Sequence, residues 1–402
     1  MRVKIYKSRA EGTVTASPSK SMAHRDIIAA TLANGTSVIS NVAYSEDIKA
    51  TIDCAKELGA TVHVGEDCAI VTGAFPYDGG KVRKFYCRES GSTLRFFMGI
   101  AMGLGGKNIF YGSEKLLSRP LDIYENICRE YGIKFDRYED RIETEGSLNP
   151  GVFKIPGDVS SQFITGLLFV LPLLDGDSVI LLLPPVESRS YINLTVKALK
   201  DFGINIIWKD DKTLFIKGGN AYTARDITVE GDYSNAAFLD AFNVLGGDVG
   251  VEGLDEESLQ GDRVYREYFE ELKNGPANLD LSDCPDLAPV LMALAAAKEG
   301  AYFTGAARLK VKESDRGTAM SEELAKLSVK TNIYSNEIEV LKGEIKPPTG
   351  PINGHNDHRI VMAMSLLLTL TGGEIEGAEA VNKSYPNFFE DIKQLGIKVE
   401  EI

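Results

Sequence analysis

With 402 residues, 44% of them hydrophobic and 25% charged, the chain is long enough for two or three domains and ordinary enough in composition to bury sizeable cores. Its net charge of −14, with no block of Lys or Arg, excludes a general nucleic-acid binder. The longest apolar stretches, 163–174 (interrupted by Pro172) and 360–370, fall short of the roughly 18 residues a membrane span needs, and the charged start Met1-Arg2-Val3-Lys4 lacks the apolar core of a signal peptide. No membrane partner is expected.

Five scattered cysteines without a CxxC pair suit reduced thiols, so a cytoplasmic location is expected. His355 and His358 have no third ligand at a zinc-like spacing, and no metal is expected.

Taken in chain order, one set of signals returns six times. Small polar residues open an apolar helical stretch at Ser19-Lys20-Ser21, Ser90-Gly91-Ser92, Asp158-Val159-Ser160-Ser161, Asp232-Tyr233-Ser234-Asn235, Ser282-Asp283-Cys284-Pro285-Asp286 and Asn356-Asp357-His358. Glycine closes each stretch, as at Gly105-Gly106 and Gly372-Gly373. A second helix, a short strand and a hairpin follow in most copies, with turns at Glu66-Asp67, Glu139-Asp140, Asp210-Asp211 and Ser335-Asn336. The repeated unit reads as βαβαββ.

The last copy stops before its hairpin partner, while Val3 to Thr15 is strand-like and has no helix of its own. The N-terminus is therefore expected to complete the final copy. Two similar α/β (α+β) domains follow, each with three units about a pseudo-threefold: 19–226 as one, and 1–18 with 227–402 as the other. Corresponding helix starts then gather on one face of each domain, and a cleft between the two would suit anions.

Serine and aspartate at helix starts are ordinary caps. Capping does not explain the cations that gather at the same places: Lys20, Arg25, Arg95, Arg119, Arg189, Lys312, Arg316, Arg359 and Lys383. A cation is unfavourable at a helix N-terminus, so a ligand with several negative groups is expected to offset them.

These openings carry a resemblance. Ser17-Pro18-Ser19-Lys20-Ser21-Met22-Ala23-His24-Arg25, Ser90-Gly91-Ser92-Thr93-Leu94-Arg95, Ser160-Ser161-Gln162-Phe163, Pro285-Asp286, Lys312-Glu313-Ser314-Asp315-Arg316, Asn356-Asp357-His358-Arg359 and Lys383-Ser384-Tyr385-Pro386 occur in this order. In them the chain resembles the 5-enolpyruvylshikimate-3-phosphate synthase family of enolpyruvyl transferases. The resemblance implies an inside-out α/β barrel in each domain, an active site in the cleft, and transfer of the enolpyruvyl group of phosphoenolpyruvate to the 5-hydroxyl of shikimate-3-phosphate through a tetrahedral intermediate. It implies no cofactor, and a monomer is expected.

The resemblance also implies roles. Lys20, Arg95, Arg119 and Lys383 would hold the phosphate end of phosphoenolpyruvate near Gly91 and Gln162, while Arg316 and Arg359 would clamp its carboxylate. Shikimate-3-phosphate would meet Lys20, Ser21, Arg25, Ser160, Ser161, Gln162, Ser188, Tyr191, Asp286 and Lys312. Asp286 would take the hydroxyl proton and Glu313 would serve proton transfer at C3, with Lys20 sharing in catalysis. Glu89 and Arg308 depart from the family pattern, where Asn is usual at the first place and found in some members at the second. Gly91 implies sensitivity to glyphosate. The rival readings are a UDP-N-acetylglucosamine enolpyruvyl transferase, whose Lys-Asn stands in place of Lys20-Ser21, an RNA 3′-terminal phosphate cyclase, and a non-catalytic anion-binding repeat protein.

Overall fold

The computed structural model describes residues 1–77 and 81–402. The chain divides into two compact units, Pro18–Val229 and Met1–Ser17 with Glu230–Ile402. Each is built around three helices that are buried on nearly every side: Lys20–Leu32, Gly91–Leu104 and Ser161–Val170 in the first, Tyr233–Val244, Ala288–Ala297 and His358–Thr371 in the second. A helix apolar all round belongs in a core. These six helices are the apolar stretches of the six repeats.

Small sheets cover the helices. Arg83–Tyr86 runs parallel to Lys107–Tyr111, which pairs antiparallel with Arg141–Glu145, itself the hairpin partner of Lys134–Arg137. The same order recurs in the sheet of Val152–Pro156, Ser178–Leu183, Thr213–Ile216 and Ile206–Asp210, and in that of Ala277–Asp280, Ala301–Thr304, Ile338–Val340 and Thr331–Ile333. Their residues alternate between buried and more exposed, as in Arg83–Tyr86, because one pleat face meets the helices and the other faces water.

The chain's crossings exchange strands between repeats. Arg2–Ile5 lies between Gly373–Glu376 and Val399–Glu401, in the last repeat. Glu11–Thr15, which directly precedes the first central helix, instead runs parallel to Asp248–Glu252. The first repeat takes Ile227–Thr228, paired with Ile39 and Ser40, as its opening strand. That pairing moves the second crossing from the expected 226/227 to 229/230.

Five of the six openings are side-chain N-caps. Ser19, Ser90, Ser160, Asp232 and Asp357 accept from the backbone N–H of Met22, Thr93, Gln162, Asn235 and Arg359. The fifth in chain order differs: Pro285–Leu287 forms a 3₁₀ turn, and the Ser282 hydroxyl donates to Asp280 instead of capping. Asp286 thus sits inside a turn that leads directly into Ala288–Ala297.

Helices Gly91–Leu104 and Ser161–Val170 cross at van der Waals contact of their backbones, since a Cβ on Gly99 would lie 2.5 Å from the carbonyl carbon of Gly166. The crossing brings Arg95 and Gln162 side by side, and Tyr124, whose hydroxyl donates to the carbonyls of Arg95 and Phe163, pins both helices. Among the described residues no helix is long and apolar enough to cross a membrane.

Candidate functional site

In Pro18–Val229 the predicted residues collect at the starts of the three central helices. Arg95 is 6% exposed; it donates to Gln162 Oε1 at 2.6 Å and lies over the Phe163 ring at 5.0 Å. Gln162 passes the contact on, donating to Ser92 at 2.8 Å. Gly91 closes the cluster: a Cβ there would lie 2.8 Å from Arg119 Nη1 and 3.3 Å from Arg95 Nη1. Burial first, and the neighbouring charge of Arg119 second, pull the Arg95 guanidinium down to about 10. Among the described residues neither Arg95 nor Arg119 has a carboxylate partner. Two adjacent guanidiniums, Arg95 buried and Arg119 half-buried, without a carboxylate counter-charge form a site for an anion with several oxygens.

Lys20, by contrast, is paired, its Nζ 2.8 Å from Asp47 Oδ2. Arg25 is 3% exposed and donates inside the unit to Thr195 Oγ1, the Ser21 carbonyl and the Tyr191 carbonyl. It therefore ties the backbone at Ser21 to the backbone at Tyr191. Ser160 caps its helix, and Ser161 is the first residue of that helix. Ser188 stands at a helix start with φ 53° and makes no side-chain cap bond, so the capping explanation does not apply to it.

In the second unit the predicted residues form one network around Arg316, which is buried. Its Nε donates to Asp357 at 2.9 Å, its Nη1 to Asp286 at 2.7 Å, and its Nη2 to Glu313. Asp286 also receives Lys312 at 3.1 Å and Arg359 Nη2 at 3.2 Å. Arg359 reaches Ser234 as well, at 2.6 Å. Burial would raise the Asp286 carboxyl, but Arg359, Lys312 and Arg316 together hold it well below the usual carboxylate range. Lys312 is lowered, by burial first, with Arg316 and Arg308 adding to this against the pull of Asp286. Lys383 donates to the Asn356 carbonyl at 2.8 Å, at the edge of the same network.

Two partners in these clusters were not singled out by the sequence. Asp357 is fully buried, accepts from Ser314 and Arg316, and caps the last central helix. Asp47 stands 27 residues from the lysine it holds. The only signal for Asp357 was its place between polar and cationic residues in a helix opening.

Two groups of metal-ligand type lie within 4.8 Å among the described residues, Glu313 with Asp357 and His358, and Glu322 with Glu323 and His355. Each already encloses a cationic side chain, Arg316 in the first and Lys326, 2.7 Å from Glu323, in the second.

Residues 6–392 match the family model described as EPSP synthase (3-phosphoshikimate 1-carboxyvinyltransferase). The chain is 42% identical to the 3-phosphoshikimate 1-carboxyvinyltransferase of Clostridium beijerinckii, over 98% of this chain and 97% of that one. It is 39% identical to that of Clostridioides difficile, over 99% and 98%. The fold is similar to a solved EPSP synthase of Acinetobacter baumannii, with a TM-score of 0.78 at 22% identity and full coverage of both chains.

Proposed function

The chain belongs to the EPSP synthase (3-phosphoshikimate 1-carboxyvinyltransferase) family, and we propose that its two clusters carry out the family's reaction, a step of the shikimate pathway of aromatic amino-acid biosynthesis. The enolpyruvyl group passes from phosphoenolpyruvate to the 5-hydroxyl of shikimate-3-phosphate, and phosphate is released. The observation that carries this reading is the pair Arg95 and Arg119, two guanidiniums with no carboxylate partner among the described residues, set against Gly91.

In this reading the phosphate of phosphoenolpyruvate lies against Arg95, Arg119, Gln162 and Gly91, with Lys20 and Lys383 contributing charge. Its carboxylate engages Arg316 and Arg359. Shikimate-3-phosphate takes Ser21, Arg25, Ser160, Ser161, Ser188, Tyr191 and Lys312. The substrate hydroxyl gives its proton to Asp286 as its oxygen bonds to C2, and C3 gains a proton through Glu313. The C2–O bond to phosphate then breaks, C3 loses a proton, and the vinyl ether is left.

A carboxylate as depressed as Asp286 is a weak base. An incoming substrate carboxylate that draws on Arg359 and Arg316 withdraws the charge that depresses it. Asp286 thus gains basicity when both substrates are bound, and little before.

Phosphate release measured with phosphoenolpyruvate and either shikimate-3-phosphate or UDP-N-acetylglucosamine tests the assignment. Release with shikimate-3-phosphate alone is expected. Release with the sugar nucleotide, or with neither acceptor, would overturn it.

Glyphosate sensitivity gives a second test. Gly91→Ala puts a methyl group 2.8 Å from Arg119 Nη1, so that guanidinium must shift. Both atoms met, Arg119 Nη1 and Arg95 Nη1, are the ends of flexible side chains, so the fold should tolerate the change while the anion site they form loses its geometry. Wild type is expected to be inhibited by glyphosate at low phosphoenolpyruvate. The variant should resist it and show a raised KM for phosphoenolpyruvate; equal inhibition of both would refute the placement of Gly91.

A further inference from the structure

A buried polar chain of His24, Thr51, Thr93 and Ser90 runs through the first unit, and none of the four is placed against a substrate in the proposed reaction. Lys20 and His24 lie one turn apart on helix Lys20–Leu32, and Asp47 and Thr51 lie one turn apart on helix Glu46–Leu58. Residues so spaced share a helix face, and here the two faces meet in two rungs. The first is Lys20 to Asp47 at 2.8 Å, and the second is His24 Nδ1 to Thr51 Oγ1 at 2.7 Å. The second rung continues. Thr51 Oγ1 is 2.8 Å from Thr93 Oγ1, and the Thr93 hydroxyl donates to Ser90 Oγ at 2.7 Å.

All four side chains are at most 1% exposed. Burial, helped by the charges of Lys20 and Arg25, holds His24 well below its usual value, so the ring is neutral. Its Nε2 has no hydrogen-bond partner among the described residues. An orphaned buried N–H is rarer than an orphaned acceptor, which assigns the ring proton to Nδ1. The bonds then run one way, from His24 through Thr51 and Thr93 to Ser90. Ser90 also accepts from the Thr93 N–H as helix cap and immediately precedes Gly91.

Apolar side chains of the same shape could fill this space at similar stability, since a satisfied buried hydrogen bond contributes little net. What hydroxyls add is a fixed geometry, because each must point at the next. We infer that His24, Thr51 and Thr93 are positioning residues for the phosphoenolpyruvate subsite: the chain carries the placement of helix Lys20–Leu32 to the Ser90–Gly91 turn, against which Arg95 and Arg119 are set. The inference rests on the subsite proposed above. It also couples Lys20 to that turn, because Asp47 and Thr51 belong to one helix.

Thr51→Val keeps the shape and deletes the hydroxyl, and Thr51→Ser restores it. For Thr51→Val the KM for phosphoenolpyruvate is expected to rise about tenfold while that for shikimate-3-phosphate stays within about twofold, and Thr51→Ser should return both toward wild type. His24→Phe breaks the chain from its other end and should give the same split if Thr51→Val does not fold. Loss of the buried hydroxyl is expected to lower Tm in either case, so the KM values decide: a purely structural role would move both together or move neither, and either outcome would overturn the proposal. Amide hydrogen exchange of residues 90–94 gives a readout independent of turnover. It should quicken in Thr51→Val and not in Thr51→Ser. A wild type that releases no phosphate with shikimate-3-phosphate would refute the subsite reading, whereas unchanged exchange at 90–94 would refute the chain's positioning role.

Discussion

Asp286→Asn is expected to lower kcat by roughly 10²–10⁴, the usual loss when a positioned proton acceptor is removed, and to leave binding of phosphoenolpyruvate unchanged or tighter. The second half of that result follows from the charges around the residue. Asp286 neutralises Lys312, Arg316 and Arg359 in the free protein, at 3.1, 2.7 and 3.2 Å. An amide of the same shape removes that competitor, so an anionic ligand meets three less satisfied cations. Loss of turnover with binding retained separates a proton acceptor from a ligand-holding group. Steady-state kinetics with calorimetry of phosphoenolpyruvate binding would show it. A kcat within tenfold of wild type, or a loss carried wholly by KM, would remove Asp286 from the chemistry.

The fold was legible where local chemistry decides it. Ser19, Ser90, Ser160, Asp232 and Asp357 cap because each stands just before an apolar stretch with a free first-turn N–H in reach. Gly105 and Gly372 stop their helices because each adopts a positive φ, 74° and 77°, that a side chain would resist. The opening at Ser282 misled because Pro285 starts its turn three residues later and Asp280 captures the hydroxyl.

Strand exchange was partly hidden. Neither Glu11–Thr15 nor Ile227–Thr228 carries a local mark of which repeat it joins, and the pairing is decided by packing across more than 180 residues of chain. The site divides in the same way. Cations were visible because they contradict the helix dipole. Their partners Asp47 and Asp357 were not, since an acid near a helix start is ordinary and the contacts span 27 and 41 residues.

Arg316→Lys should be the most damaging conservative change in the second unit. The guanidinium serves Asp357, Asp286 and Glu313 from three different nitrogens, and a single ammonium cannot reproduce that planar fork. Asp286 keeps Lys312 and Arg359. Asp357 is worse placed: it is fully buried, and Arg316 is the largest favourable charge acting on it. Breaking a buried pair costs about 3–5 kcal/mol, which corresponds to a fall in Tm of roughly 10 °C for a domain of this size.

The pH dependence supplies the sharper test. In wild type, burial raises the Asp357 carboxyl, and Arg316 more than reverses this, leaving it below 3.8. Its contribution to stability is therefore fully present above the unfolded value near pH 4 and is lost only as pH falls through the lower folded value. In the variant, burial acts with much less opposition and the folded value rises above the unfolded one. The sign reverses: the variant loses stability as pH climbs from about 4, where a buried carboxylate must ionise without its partner. The Tm difference between wild type and Arg316→Lys should consequently be larger at pH 7 than at pH 4. Thermal denaturation at the two pH values would measure it, and a difference that is constant or shrinks toward pH 7 would show that Arg316 does not hold Asp357 in its charged form.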